Sequence, residues 1–408
     1  MRKNLFKKIF VIILIIMLLL AFSKSYSTLN IDNLSVIVAM GFDVSNKNRL
    51  QISFQFTNPS SVSESGTSEQ APSIIYSVDA SSISSGINLI NTYIGKSVNL
   101  SHCKVITFSE EIASRGISDE IYTLINDTQI RPSTNIVISK TSARYYLEHS
   151  KPLFENLITK YYEVFSASGS YTGFTANATI GDFFDSLICH SCEPYGILGG
   201  VTNNSTEYTG STNSENDSTT KSNASSLSGQ STAENTGLAV FKNDVLVGEL
   251  NSIETLCFSI IRNQVDGFLI SVPNPNKANS YIDLHVTPLV TPKVKVDILN
   301  GTPYITIDCR FTGRIYSMED GADYLDNDML NHISNSCNSY LESILTEYLY
   351  KTSKSLSSDI NGFGKTARNI FLTLDEFYDY NWSEKYKDSF FKVTVNSSIR
   401  SSSLLTES

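Results

Sequence analysis

Cys189-His190-Ser191-Cys192 places two thiols at the spacing used for thiol exchange or for half of a zinc site, with an imidazole and a hydroxyl between them. A structural zinc needs four ligands, and no second close Cys/His pair follows in the chain. The other cysteines, Cys103, Cys257, Cys309 and Cys337, are scattered, and the last two fall on apolar faces where a thiol behaves as a small hydrophobe. No metal and no redox cofactor is therefore expected. The pair admits a disulfide in an oxidising compartment, and a free dithiol suits a reducing one equally.

Gly364-Lys365-Thr366 has the lettering of the end of a phosphate-binding loop. That loop needs glycine where this chain has Asp359, and a strand before it where this chain has a long helical pattern. The better reading is structural. Gly362 and Gly364 are expected to supply backbone angles closed to other residues, so that the chain reverses while Phe363 packs inward. His102, His149, His190, His285 and His332 stand apart from any Ser or Cys in a nucleophile elbow, so no catalytic residue is nominated. A net charge of −10, from 31 Lys and Arg against 41 Asp and Glu, argues against nucleic acid as a partner, because phosphate binding needs a concentrated basic face.

The elements that must position these residues alternate between two periods. SVIVAMGF and RLQISFQF read as a hairpin, the second strand with Leu50, Ile52, Phe54 and Phe56 on one face and Arg49, Gln51, Ser53 and Gln55 on a solvated one. Ile83, Ile87, Ile90 and Ile94 recur at helical spacing, and KVITF and NIVISK are short buried strands. Ser109 with Glu110 and Glu111 is expected to cap a helix, and the stretches around Tyr146 and Tyr161 are expected to be helical, the second with Pro152 near its start. Further on, LAVFKNDVLVGEL reads as two strands around Lys242-Asn243-Asp244, with Ser252 as the cap of a following helix. KVKVDILNGTPYITIDCRF is a hairpin turning at Asn300-Gly301. An amphipathic helix from Asn327 to Lys351 then carries Leu330, Ile333, Cys337, Leu341, Ile344 and Tyr348 on one stripe. Interleaved strands and helices give an α/β (α+β) class with mixed sheets and packed helices.

Organisation follows from composition. Arg2, Lys3, Lys7 and Lys8 precede an uncharged apolar run from Ile9 to Phe22, which marks residues 1–24 as a signal peptide or N-terminal membrane anchor. As a helix the run reaches about 21 Å, short of a ~30 Å hydrocarbon core, and Ala21-Phe22-Ser23 offers small residues for cleavage, so both fates stay open. Residues 203–236 hold almost no aliphatic side chains and cannot bury enough apolar area to offset the entropy of ordering them. Pro59 to Ser73 is a smaller stretch of the same kind. The expected division is thus 25–200 as an N-terminal α/β domain, 201–236 as a low-complexity linker, 237–400 as a C-terminal α/β domain of one or two lobes, and 401–408 as a tail.

Order and spacing of motifs carry a resemblance. GLAVFKNDVLVGEL, the long helix stripe, the turn D-I-N-G-F-G through Asp359, Gly362, Phe363 and Gly364, the aromatic anchor Trp382 and the closing FFKVTVNSSIRSSSLL follow one another as in the Ger(x)C family, the C subunits of bacterial spore germinant receptors. NLSHCKVITFSEEIASRGI and the pair Arg131-Pro132 look like the matching N-terminal segment, so the resemblance covers nearly the whole exported part. It implies a multi-domain α/β assembly, no catalytic residues, and a non-enzymatic subunit on the outer face of the spore inner membrane beside membrane-embedded A and B subunits. The chain departs from that family at the leader, where Ser25, followed by Tyr26, stands in place of the lipid-bearing cysteine. Membrane attachment then falls to a retained N-terminal helix, with release after cleavage as the alternative. The competing reading is a secreted or surface-anchored envelope hydrolase.

Overall fold

The polar turn Ser45-Asn46-Lys47-Asn48 joins β1 (Leu34–Val44) to β2 (Leu50–Thr57) as an antiparallel hairpin, and β3 (Ser73–Ala80) pairs on its outer side. The computed structural model describes residues 10, 12–17, 34–57, 73–151, 157–202, 232–318 and 327–400. Most of the leader with Ser25, the stretch 58–72, Pro152, residues 203–231 and the tail therefore lie outside the described residues. Residues 10 and 12–17 are helical, and among the described residues no helix is long and apolar enough to cross a membrane.

The alternation in β2 promised a solvated face, and the structure leaves one only at Arg49 and Gln51. Ser53 and Gln55 are buried, the first bonded to Ser77 Oγ at 2.7 Å and the second accepting from Tyr162 Oη at 2.7 Å. Helices cover that face as well, so the polar residues on it exist to satisfy one another inside the protein.

The chain then crosses through α1 (Ile83–Ile94), which Ser82 and Ser85 open with a reciprocal capping box, and the short β4 (Ser97–Asn99). It re-enters the sheet as β5 (Val105–Ser109), parallel to β1. The helix expected after Ser109 is a single turn, α2 (Glu110–Ala113), and the Ser109 hydroxyl does not cap it. After α3 (Ser118–Ile125) come β6 (Asn135–Ser139), α4 (Ala143–His149), α5 (Ile158–Phe165), α6 (Gly169–Thr172), α7 (Ile180–Leu187) and β7 (Tyr195–Thr202). β8 (Thr232–Lys242) and β9 (Val245–Leu250) complete a nine-stranded sheet in the order β3-β2-β1-β5-β6-β7-β8-β9, with β4 beside β1. Its centre, β1, β5, β6 and β7, is parallel, and its outer strands are antiparallel. Residues 232–236, read from composition as part of the linker, are strand, because pairing with Thr202 to Gly199 supplies hydrogen bonds that side-chain burial does not.

Sheet membership changes after Leu250. Helix α8 (Ser252–Ile261) is capped by Asn251, whose side chain and that of Glu254 bond reciprocally, so the cap lies one residue before the expected Ser252. Strands β10 (Phe268–Pro273), β11 (Tyr281–Pro288), β12 (Lys293–Leu299) and the long β13 (Thr302–Met318) follow, with Asn300 and Gly301 both at positive φ in the β12–β13 turn. The amphipathic helix α9 (Asn327–Tyr350) buries Ile333, Cys337, Leu341, Ile344 and Tyr348 and runs on into a π turn at Lys351–Ser355. Then come α10 (Phe363–Ala367), α11 (Leu374–Tyr380), α12 (Trp382–Lys385) and β14 (Phe390–Arg400), which lies parallel to β13 in a sheet ordered β10-β11-β13-β12. The class is α/β with mixed sheets, and the buried side chains of both sheets join one hydrophobic cluster.

Candidate functional site

Asp359 leaves the π turn and heads a reversal at Gly362, whose φ of 73° no side-chain-bearing residue adopts without cost. The carboxylate folds back over the start of α10, accepting from Phe363 N at 3.0 Å and Gly364 N at 2.8 Å, two of the donors that a helix start leaves unbonded. Trp382 Nε1 donates to the same carboxylate at 2.9 Å. Both side chains are 2% exposed. Burial pushes the Asp359 carboxyl up to about 6, and the three N–H donors pull against that rise.

Gly364 is present for space, which corrects the expectation that it serves an unusual backbone angle. Its φ is ordinary, but a Cβ there would stand 2.5 Å from the Ser191 carbonyl oxygen and 2.6 Å from the Trp382 indole. Only a residue without a side chain lets three segments meet at that point.

The other side of the junction comes from the first sheet. The loop after α7 carries Cys189 and Cys192, Cα atoms 5.6 Å apart with sulfurs within bonding reach, and then Glu193. Glu193 N donates to the Asp359 carbonyl at 3.2 Å. Its carboxylate, buried and held above the usual carboxylate range by desolvation, accepts from Asn243 N at 2.6 Å and Ser383 Oγ at 3.0 Å. Asn243 sits at φ 54° in the β8–β9 turn, and Ser358 Oγ donates to Phe241 O of β8 at 2.6 Å. Around this centre, Lys242 pairs with Glu384 at 3.1 Å, Lys351 pairs with Glu254 at 2.7 Å, and Arg262 Nη1 donates to Asn361 O at 3.3 Å. A hollow of about 400 Å³ opens beside it, lined among others by His190, Glu193, Tyr378 and Trp382.

The structure therefore brings the motif residues Asp359, Gly362, Phe363, Gly364 and Trp382 together with the Cys189–Cys192 loop, a meeting the sequence did not disclose. Glu193, Asn243, Ser358 and Ser383 were missed. The only trace of them was a carboxylate directly after a cysteine pair and an asparagine in a tight turn, both common on surfaces.

Chemically the two carboxylates at the centre are spent, while the Asn361 side-chain oxygen in the same turn has no partner. The Asp359 oxygens are filled by three donors, so the place a phosphate would take at the start of α10 is occupied by a side chain of the protein itself. Burial raises the thiols of Cys103 and Cys309 to about 12 and that of Cys337 to about 11, so none is a ready nucleophile. Among the described residues, no three His, Cys, Asp or Glu side chains are grouped to hold a metal.

Comparison with known proteins adds the following. Residues 27–195 match the family model of the spore germination protein N-terminal domain, and residues 236–403 match that of the spore germination B3/GerAC-like C-terminal domain. Spore germination protein KC of Bacillus subtilis (strain 168) is 22% identical over 395 residues, which span 93% of this chain and 92% of that protein. The crystal structure of the GerBC protein aligns with a TM-score of 0.53 at 17% identity, over 88% of this chain and 96% of that one, and so shares the fold.

Proposed function

The chain belongs to the Ger(x)C family of spore germination proteins, and from that premise we propose that it is a non-enzymatic subunit of a nutrient germinant receptor. It acts as a coupling element, seated on the outer face of the spore inner membrane and bound to membrane-embedded A and B subunits. With Ser25 in place of a lipid-bearing cysteine, a retained N-terminal helix holds it there.

The observation that supports the reading is how the reactive-looking residues are used. Asp359, Trp382 and Glu193 are spent on one another and on backbone amides, tying the 189–193 loop and the β8–β9 turn of the first sheet to the α10–α12 segment. A subunit that relays a change in its partners needs its two sheets to move as one body, because coupling is carried by elements with discrete arrangements. An envelope hydrolase would instead need an acid or base with a free lone pair facing substrate.

The test is deletion of the gene, nutrient challenge of the spores, and fractionation of a tagged protein. The reading expects lost or slowed nutrient germination, sedimentation with the inner membrane, and co-purification of two polytopic membrane proteins. Normal germination with the protein free in the medium ends it, and so does substrate turnover by purified protein that one side-chain replacement abolishes.

A further inference from the structure

The second sheet turns one face to the core and leaves the other bare. On β13 the buried side chains Ile305, Ile307, Cys309 and Phe311 alternate with Tyr304, Thr306, Asp308 and Arg310, which are not buried. Strand register decides what the bare face carries. Lys295 of β12 and Lys392 of β14 both stand opposite Thr306, Lys293 stands opposite Asp308, and Arg314 stands opposite Arg400 on one side and His285 on the other. With Arg310, the face holds six lysines and arginines against three carboxylates, Asp283, Asp297 and Asp308, on a chain whose net charge is −10. Register thus concentrates a basic face that composition does not disclose.

The acids on this face are answered at close range. Asp297 pairs with Lys295 at 2.8 Å, Asp308 with Arg310 at 3.7 Å, and Asp283 accepts from the hydroxyls of Ser271, at 2.6 Å, and Ser317. Among the described residues no carboxylate pairs with Lys293, Arg314, Lys392 or Arg400. A face that had only to stay wet would not set Arg314 directly opposite Arg400, because like charges in that relation destabilise a sheet. Exposed rings stand among the cations. Tyr304 and Phe390 stack with centroids 5.2 Å apart, Lys354 Nζ lies 5.9 Å from the centre of the Phe390 ring, and Tyr316 is exposed beyond Arg314. Aromatic rings seat at the headgroup level of a bilayer, and lysine and arginine beside them are drawn to anionic lipid. Nucleic acid would satisfy the same cations, but the basic leader and the apolar run from Ile9 to Phe22 mark the chain for export, which brings it to a bilayer surface.

We propose that the bare face of the second sheet docks on an anionic lipid bilayer. The proposal rests on the membrane placement given above and adds which side of the molecule meets the lipid. The full chain is reconstituted with vesicles of phosphatidylcholine alone or of phosphatidylcholine and phosphatidylglycerol in equal parts, floated on a density gradient, and briefly acetylated at its lysines, with mass spectrometry reading each site. Expected on the anionic vesicles alone is slowing of Lys293, Lys295 and Lys392 by about threefold or more, with Lys47 and Lys96 of the first sheet unchanged. Added salt should restore the labelling. The double variant Arg314→Gln/Arg400→Gln, at two exposed positions, should keep or raise the melting temperature and lose much of the protection. Flotation on both vesicles with no lysine slowed leaves the membrane placement standing and overturns the docking face; failure to float on the anionic vesicles overturns both. Protection undiminished in the double variant, equal protection by soluble polyphosphate or RNA, or lysines already slow without vesicles, as shielding by the acids of 319–326 would make them, each overturns the proposal as well.

Discussion

Two buried aspartates in this protein do the same local work and end in opposite states. Asp359 accepts from the amides of Phe363 and Gly364 at the start of α10, and Asp43 accepts from those of Ala143 and Arg144 at the start of α4. Both are raised above the usual carboxylate range by burial. Over Asp359 the Trp382 indole closes, and both carboxylate oxygens are engaged. Over Asp43 stands the Ser109 hydroxyl, which pulls the carboxyl down against burial, and beyond it a cleft of about 580 Å³. A helix-capping carboxylate is thus a neutral building block, and whether it is sealed in or left beside a cleft depends on what covers it.

That contrast breaks most visibly under Trp382→Ala. The indole is 2% exposed and holds both a packed volume and a hydrogen bond, so its loss is expected to cost about 4 kcal/mol in urea unfolding of the purified chain. Replacing Thr141, which lines the cleft, with Ala should stay within roughly 0.5 kcal/mol. Comparable losses at the two positions would mean that the cleft is a fastening as well.

Titration sharpens the same point. Between 3.8 and about 6, folded Asp359 holds a proton that the unfolded chain has released. The stability this carboxyl contributes is therefore fully present below 3.8 and is lost as pH rises through about 6. Relative to wild type, Asp359→Asn should gain on the order of 3 kcal/mol across that window, because an amide does not ionise. Asp43→Asn should show the same sign. A wild-type-minus-variant difference that is flat with pH, or that slopes the other way, removes the buried charge from the account of the junction.

Glycine separates space from angle. Gly364→Ala forces a methyl to within 2.5 Å of a backbone oxygen and should cost about 2 kcal/mol or more. Gly362→Ala has no atom closer than 3.7 Å, so only its positive φ is penalised, at roughly 1 kcal/mol. Unfolding of both variants in urea ranks them, and equal costs would mean that the close approach at Ser191 relaxes freely.

Much of the framework was legible because it is local. Apolar runs and alternation found the hairpins at 35–56, 238–250 and 293–311, and the 3.6-residue stripe found α9 almost to the residue. Asp359 was legible through the turn it shares with Gly362 and Phe363. Asp43 was not, because its partners lie one hundred positions on, at Ala143, and in sequence it is only the last polar residue of an apolar strand. Glu193 was hidden in the same way by Asn243 and Ser383. The solvated face expected of β2 failed for a related reason: Ser53 and Gln55 look like surface residues until Ser77 and Tyr162 arrive from other elements. A pattern of periods reports which face is apolar and says nothing of what later covers the polar one.

The smallest effects carry the comparison furthest, since one substitution can be made in both regions. Ser358 and Ser109 are both buried serines near an aspartate. Ser358 Oγ donates to Phe241 O at 2.6 Å, so Ser358→Ala removes a made bond and should destabilise by about 1 kcal/mol. Ser109 Oγ pulls the Asp43 carboxyl down against the rise from burial, so Ser109→Ala is expected to destabilise by less than about 1 kcal/mol at neutral pH. Paired urea curves at neutral and acid pH separate the two serines: the Ser358→Ala loss is expected to be flat with pH, and the Ser109→Ala loss to shrink as Asp43 takes up its proton. A Ser109→Ala loss that does not change with pH would mean that the hydroxyl does not act on Asp43 at all.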